Sequence, residues 1–89
     1  FCTKLYLGVD GIDLQYRVTT SNTMEAQLNR CMIKVAQRVI VLEDHTKFGK
    51  RGFSRICGID EIDEIITDKN LSDAIADKFL NAGVKLTII

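Results

Sequence analysis

Lys47, Lys50, Arg51 and Arg55 bring four positive charges into a short stretch with no acid among them. They lie in and just beyond the segment Asp44-His45-Thr46-Lys47-Phe48-Gly49-Lys50-Arg51-Gly52, which follows the apolar run Val39-Ile40-Val41-Leu42. A lysine just past a buried strand, beside turn glycines, is placed to hold an anion such as a phosphate. The segment lacks the Gly-x-x-x-x-Gly-Lys-Ser/Thr arrangement of a P-loop, so nucleotide binding has no motif behind it. A solvated basic loop explains the same composition equally well. Phe48 reads as the anchor that packs this loop down rather than as a stacking surface.

A second segment, Leu7-Gly8-Val9-Asp10-Gly11-Ile12-Asp13, sets glycines on both sides of an aspartate at a strand end. Gly8 and Gly11 would let backbone approach a ligand closely. Asp10 is suited to accepting hydrogen bonds from sugar hydroxyls, and Asp13 to the same task or to supporting the turn. A turn built on Asx hydrogen bonds accounts for the two aspartates just as well.

Other chemistries are excluded by what the chain contains. His45 is the single histidine of the 89 residues, so neither a histidine metal cluster nor a Ser-His-Asp triad can be assembled here. Cys2, Cys31 and Cys57 are odd in number, far apart and without a Cys-x-x-Cys pair, so they read as small core fillers in a reduced, cytosolic setting. No metal and no cofactor is expected. Twelve basic and twelve acidic residues balance to zero net charge, which argues against a broad face that grips nucleic-acid phosphates. The apolar runs fall far short of the ~20 residues that span a membrane.

The elements that must position these residues follow from periodicity. Leu5–Val9 alternates as a strand and turns at Asp10-Gly11. Thr19, Thr20, Ser21 and Asn22 form a polar cluster suited to capping, with Asn22 and Glu25 at capping-box spacing. Met24, Leu28, Cys31, Met32, Val35, Ala36 and Val39 then recur as one helical stripe ending near Arg38, with Gln27, Arg30, Lys34 and Gln37 on the wet side. Val39–Leu42 is a strand covered on both faces. Residues 45–55 read as a loop, 53–59 as a short strand, and Ile65-Ile66-Thr67 as a buried strand. Ser72 caps a second helix with Ile75, Phe79 and Ala82 inward and Gly83 at its end, and residues 84–89 close as a strand.

This order predicts an α/β fold with a mainly parallel sheet flanked by helices. Two helices are too few to cover both faces of such a sheet, so the 89 residues read as an incomplete half-domain. The start at Phe1 without an initiator Met agrees with a fragment, one expected to self-associate, swap elements or be marginally stable alone. Three strands end at acids: Asp10, Glu43-Asp44 and Asp68. In open parallel sheets the ligand crevice lies outside these carboxyl ends. The candidate ligand-binding residues are therefore Gly8, Asp10, Gly11, Asp13, Asp44 and Lys47. For Asp68 alone, a strand simply terminating at the surface is the plainer account.

The blocks Tyr6–Asp13, Thr19-Thr20, Glu25-Ala26, Met32-Ile33, Val39–Leu42, Asp44–Gly49 and Ile62–Asp68 resemble, in order and spacing, the C-terminal half of DeoR-family effector domains. Asp44-His45-Thr46-Lys47-Phe48-Gly49 is the most specific of them. The resemblance implies a cytoplasmic, oligomeric repressor of sugar metabolism that senses a sugar phosphate and binds operator DNA through an N-terminal winged helix-turn-helix. That module and the first half of the sensor, with its phosphate-binding turns, are absent from these residues. The general likeness to repressors of lactose phosphotransferase systems points loosely toward tagatose phosphates. The family's sensor is similar in fold to ribose-5-phosphate isomerase, where Asp10 would correspond to the acid/base aspartate and Lys47 to the lysine of the Asp-x-Ser-Lys segment. The enzyme's glycine-rich run with its catalytic lysine is replaced here by Tyr16-Arg17-Val18-Thr19-Thr20. The resemblance thus implies a binding site rather than an enzyme, with a fragment of a sugar-phosphate isomerase-like enzyme as the alternative.

Overall fold

The computed structural model describes residues 4–15 and 17–89, so Cys2 and Tyr16 lie outside the described residues. Along the chain run β1 (Lys4–Leu7), β2 (Gly11–Asp13), β3 (Arg17–Thr20), α1 (Thr23–Val35), β4 (Arg38–Leu42), β5 (Ser54–Cys57), β6 (Glu64–Thr67), α2 (Asp73–Asn81) and β7 (Leu86–Ile88). Val39, Ile40 and Val41 are all buried because β4 is a central strand of a parallel sheet ordered β1-β4-β6-β7. An unbroken β-branched run suits that position, where both faces of the strand meet side chains.

A second sheet, unforeseen in the sequence, pairs β2, β3 and β5 antiparallel. Thr19 and Thr20 are buried within it instead of capping a helix. Asn22 alone is the cap of α1: its side chain accepts the amides of Met24 and Glu25 at 2.9 and 3.0 Å. Ser72 caps α2 in the same way through the Ile75 amide. Past α2, Gly83 takes φ +86°, the left-handed conformation that a β-carbon disfavours.

One core joins both sheets. Leu5, Leu7, Val39, Val41 and Ile65, which share one face of the parallel sheet, meet Ile12, Val18 and Ile56 of the antiparallel sheet, Ala26 of α1, and Ala76 and Phe79 of α2. Both helices therefore serve the same side. On the opposite face, Tyr6 aligns with Ile40 and Leu42 with Ile66, and Tyr6 and Leu42 remain exposed. Neither helix covers this face, although Ile40 at its middle is only 4% exposed.

The orientation of α1 corrects the sequence reading. Its buried residue is Ala26, with Ile33 and Ala36 packed partly against the core, and Arg30 donates to the Arg55 carbonyl. The expected inner stripe of Met24, Leu28, Cys31, Met32 and Val35 faces outward. Cys31 is thus no core filler, whereas Cys57 is buried as expected. In α2 the inward residues are Ala76, Phe79 and part of Ile75, while Ala82 is exposed at the C-cap.

Candidate functional site

The carboxyl ends of β1, β4 and β6 meet at one edge of the parallel sheet. After β1 the chain passes Gly8 and Val9, and the Val9 amide donates to Glu43 Oε2 at 2.7 Å. Glu43 follows β4 directly, so this bond ties the two strand exits together. A β-carbon on Gly8 would lie 3.2 Å from the same carboxylate oxygen, so the glycine keeps that approach open.

Asp10 is held by its own turn. Its Oδ2 accepts the Ser21 amide at 2.7 Å and the Thr20 hydroxyl at 3.1 Å. These two bonds, with a smaller contribution from the positive charge of Lys47, hold its carboxyl below the usual aspartate range. Asp44 opens the short 3-10 turn His45–Lys47 and accepts both the amide and the hydroxyl of Thr46. Those bonds lower its pKa, and the Lys47 charge adds to the effect while the carboxylate of Asp68 opposes it. Lys47, half-buried in the same turn, makes only a minor contribution to either carboxylate beside these hydrogen bonds.

Asp68 ends β6 and faces the same turn. It accepts the His45 amide at 3.2 Å, and His45 Nδ1 lies 2.9 Å from its Oδ1. The His45 side chain is the main cause of its lowered pKa. Beside it opens a cleft of about 310 Å³ lined by Leu42, Glu43, Asp44, Ile66, Thr67, Asp68 and Ile89. The loop beyond is anchored by Phe48, whose ring meets Phe79 edge-on at 5.1 Å. It is anchored again by the Gly49 amide, which donates to the Ile12 carbonyl at 2.7 Å.

Gly8 and Asp10 follow β1, and Asp44 and Lys47 follow β4, so all four lie beyond two adjacent strand ends. Gly11 and Asp13 are placed differently. A β-carbon on Gly11 would come within 2.3 Å of the Lys50 carbonyl oxygen and 2.6 Å of Thr19 Oγ1, so this glycine lets the loop pack against β2 and β3. Asp13 accepts the Gln15 amide in an Asx turn and lines a separate cleft with Ile75, Lys78 and Phe79. The sequence reading missed Glu43 as the clamp between β1 and β4 and His45 as the partner of Asp68. An acid immediately after a buried strand was the only signal for the first. Among the described residues, no group of three or more His, Cys, Asp or Glu side chains could hold a metal ion.

The fold is an α/β domain with a parallel sheet whose strands end at carboxylates. The chain belongs to the DeoR family: the family model for the DeoR C terminal sensor domain matches residues 2–69. It is 40% identical over 85 residues to a putative aga operon transcriptional repressor of Escherichia coli O157:H7, an alignment covering 96% of this chain and 32% of that protein. It is 34% identical over 85 residues to the HTH-type transcriptional repressor GlcR of Bacillus subtilis, covering 96% of this chain and 33% of the relative. It is also 34% identical over 80 residues to the HTH-type transcriptional regulator GlpR of Haloferax volcanii, covering 90% and 31%. The chain spans about a third of the length of these curated relatives.

Proposed function

We propose that these residues form the C-terminal half of the effector-binding domain of a cytoplasmic, oligomeric DeoR-family repressor of sugar metabolism, and that the effector is a sugar phosphate. The single observation that carries this reading is that Gly8 and Asp10 follow β1 while Asp44 and Lys47 follow β4, beyond the carboxyl ends of two neighbouring parallel strands. A cation framed by fixed carboxylates offers a ligand both an anion partner and hydroxyl acceptors. In this reading Gly8, Asp10, Asp44 and Lys47 face the effector. Gly11 and Asp13 support the site through the β2 turn, and operator DNA is read by a winged helix-turn-helix elsewhere in the whole protein.

The uncovered sheet face supports the half-domain part of the proposal. Parallel sheets are covered on both faces in folded proteins. Crossovers along β1, β4, β6 and β7 have placed both helices on one side. Right-handed connections growing from the free edge of β1 in the other direction would put helices on the other. That growth also makes the exit of β1 the point where strand order reverses, which is where ligands bind in open α/β sheets.

Against the isomerase alternative stand the relatives, which are named as transcriptional regulators, and the state of Asp10. A carboxylate whose pKa is lowered by two hydrogen bonds is a weak general base. The test is calorimetric titration of the whole repressor with tagatose and hexose phosphates, their unphosphorylated sugars and inorganic phosphate. Binding of a sugar phosphate without its turnover supports the proposal; turnover, or indifference to every phosphorylated sugar, defeats it.

A further inference from the structure

The basic loop carries more positive charge than the strand-end crevice uses. Lys50, Arg51 and Arg55 lie beyond Lys47 in a chain whose twelve basic and twelve acidic residues balance. A cleft of about 300 Å³ opens beside them, lined by Gln15, Thr19, Arg51, Gly52, Phe53 and Arg55. It shares no residue with the cleft beside Asp68, nor with Gly8, Asp10, Asp44 and Lys47. No acid lines it, and Arg30 of α1 brings a further guanidinium to its rim by donating to the Arg55 carbonyl.

The backbone that carries these side chains is tied down. Gly52 donates its amide to Oγ1 of the buried Thr19 at 2.6 Å. A β-carbon on Gly52 would lie 2.7 Å from the Thr20 carbonyl carbon, so the loop lies directly on β3. Arg55 belongs to β5 and is paired in register with Thr19. Arg51 and Phe53 flank Gly52 in the sequence, so the charged and aromatic groups of the cleft all start from anchored positions. Such pre-organisation lowers the ordering cost that a ligand must meet.

The lining also selects the ligand. A guanidinium is a planar fork that meets phosphate oxygens through paired hydrogen bonds, and its five donors leave some for a ligand even when others are engaged within the protein. Phe53, 87% exposed, adds an aromatic side chain to the same cleft. Phenyl and guanidinium groups both stack on flat rings. The volume lies at the lower end of small-molecule pockets, which suits a mononucleotide and is too small for a duplex or a folded partner.

We infer that this cleft is a second ligand site, one for a phosphate monoester carried on a planar ring, of which a nucleoside monophosphate is the simplest example. The phosphate pairs with Arg51 and Arg55, and the ring stacks on Phe53. A plain sugar phosphate has no flat face and would leave Phe53 unused. The effector reading plays no part in this, because the cleft takes its ligand whether or not a sugar phosphate binds at the strand ends.

The test is calorimetric titration of the whole repressor with adenosine monophosphate, adenosine and inorganic phosphate. The nucleotide should bind with a Kd of roughly 10–500 µM. Adenosine and phosphate should each bind at least about tenfold more weakly, since each lacks half of the contacts. Arg55→Gln should weaken the nucleotide at least about tenfold, and Phe53→Ala about fivefold or more. Both side chains are exposed, so the thermal melt and operator affinity should not move. If Arg55→Gln lowers the melt, Arg55→Lys, which keeps the charge without the fork, replaces it and should still weaken binding. No nucleotide binding in the millimolar range, phosphate binding as tightly as the nucleotide, or a titration indifferent to the Arg55 and Phe53 variants would overturn the inference. So would an Arg55→Gln protein that keeps the nucleotide but loses operator, which would give the arginine to DNA.

Discussion

The Val9 amide and the Glu43 carboxylate meet at 2.7 Å across 34 residues of sequence, and this bond fixes how the exits of β1 and β4 sit beside each other. Because Glu43 is only partly buried, the contribution should fall near the lower end for a hydrogen bond to a charged group. Glu43→Ala is expected to lower unfolding stability by about 1.5 kcal/mol, and Glu43→Gln, which keeps an acceptor, by less. Urea denaturation at unchanged slope measures both. Equal stability for all three proteins would mean that the strand exits are set by packing alone.

A contrast between two glycines checks the loop that carries Lys47. On Gly11 a β-carbon would collide with the Lys50 carbonyl, a backbone atom that can move only if the loop moves. On Gly83 it would meet nothing within 4 Å, leaving only the cost of φ +86°. Gly83→Ala should therefore cost about 1–2 kcal/mol. Gly11→Ala should cost more than about 4 kcal/mol or prevent folding. Thermal melts of the two variants decide it, and a mild Gly11→Ala would return this residue to the ligand-approach role read from sequence.

Acid should loosen the strand ends first. Asp10, Asp44, Asp68 and Glu64 all have lowered pKa values, through hydrogen bonds from Ser21, Thr46, His45 and Thr87 respectively. A lowered carboxylate contributes stability that is in place above its unfolded value, 3.8 for the aspartates and 4.5 for Glu64. That stability is lost as pH falls through the lower folded values. Stability should thus be flat in these groups above pH 5 and decline below about pH 4. Asp68→Asn should make the decline shallower; an acid limb identical to that of the unaltered chain would remove Asp68 from the account.

Local chemistry made part of this molecule readable from its residues. Asn22 and Ser72 cap the two helices because a short polar side chain before an apolar-periodic run has few other uses. Val39–Val41 is a buried strand because no other element accommodates three consecutive β-branched residues so well. The side α1 presents to the core was not readable. Periodicity says which residues share a face, and here the small Ala26 allows close approach to β5 while the larger stripe is left outside. The β2–β3 pairing was hidden for another reason. Thr19 and Thr20 are as suited to strands as to caps, and distant partners distinguish the two uses: the Gly52 amide donates to Thr19 Oγ1 at 2.6 Å, and β5 pairs with both residues. That three strands end at acids was legible, but His45 and Asp68, 23 residues apart, pair through tertiary structure alone.

The most direct measurement of the central claim is inducer affinity of the whole repressor with Lys47 replaced by alanine. A charge-assisted hydrogen bond from Lys47 to a ligand oxygen contributes about 1.5–3 kcal/mol, so Lys47→Ala should weaken sugar-phosphate binding roughly 10- to 150-fold. Operator affinity without inducer should stay unchanged, giving a repressor that resists induction. Lys50, exposed and just past the turn glycine, is the control, and Lys50→Ala should shift the titration by no more than about threefold. A titration unmoved by Lys47→Ala, or one abolished by Lys50→Ala instead, would contradict the placement of the effector at the carboxyl ends of β1 and β4.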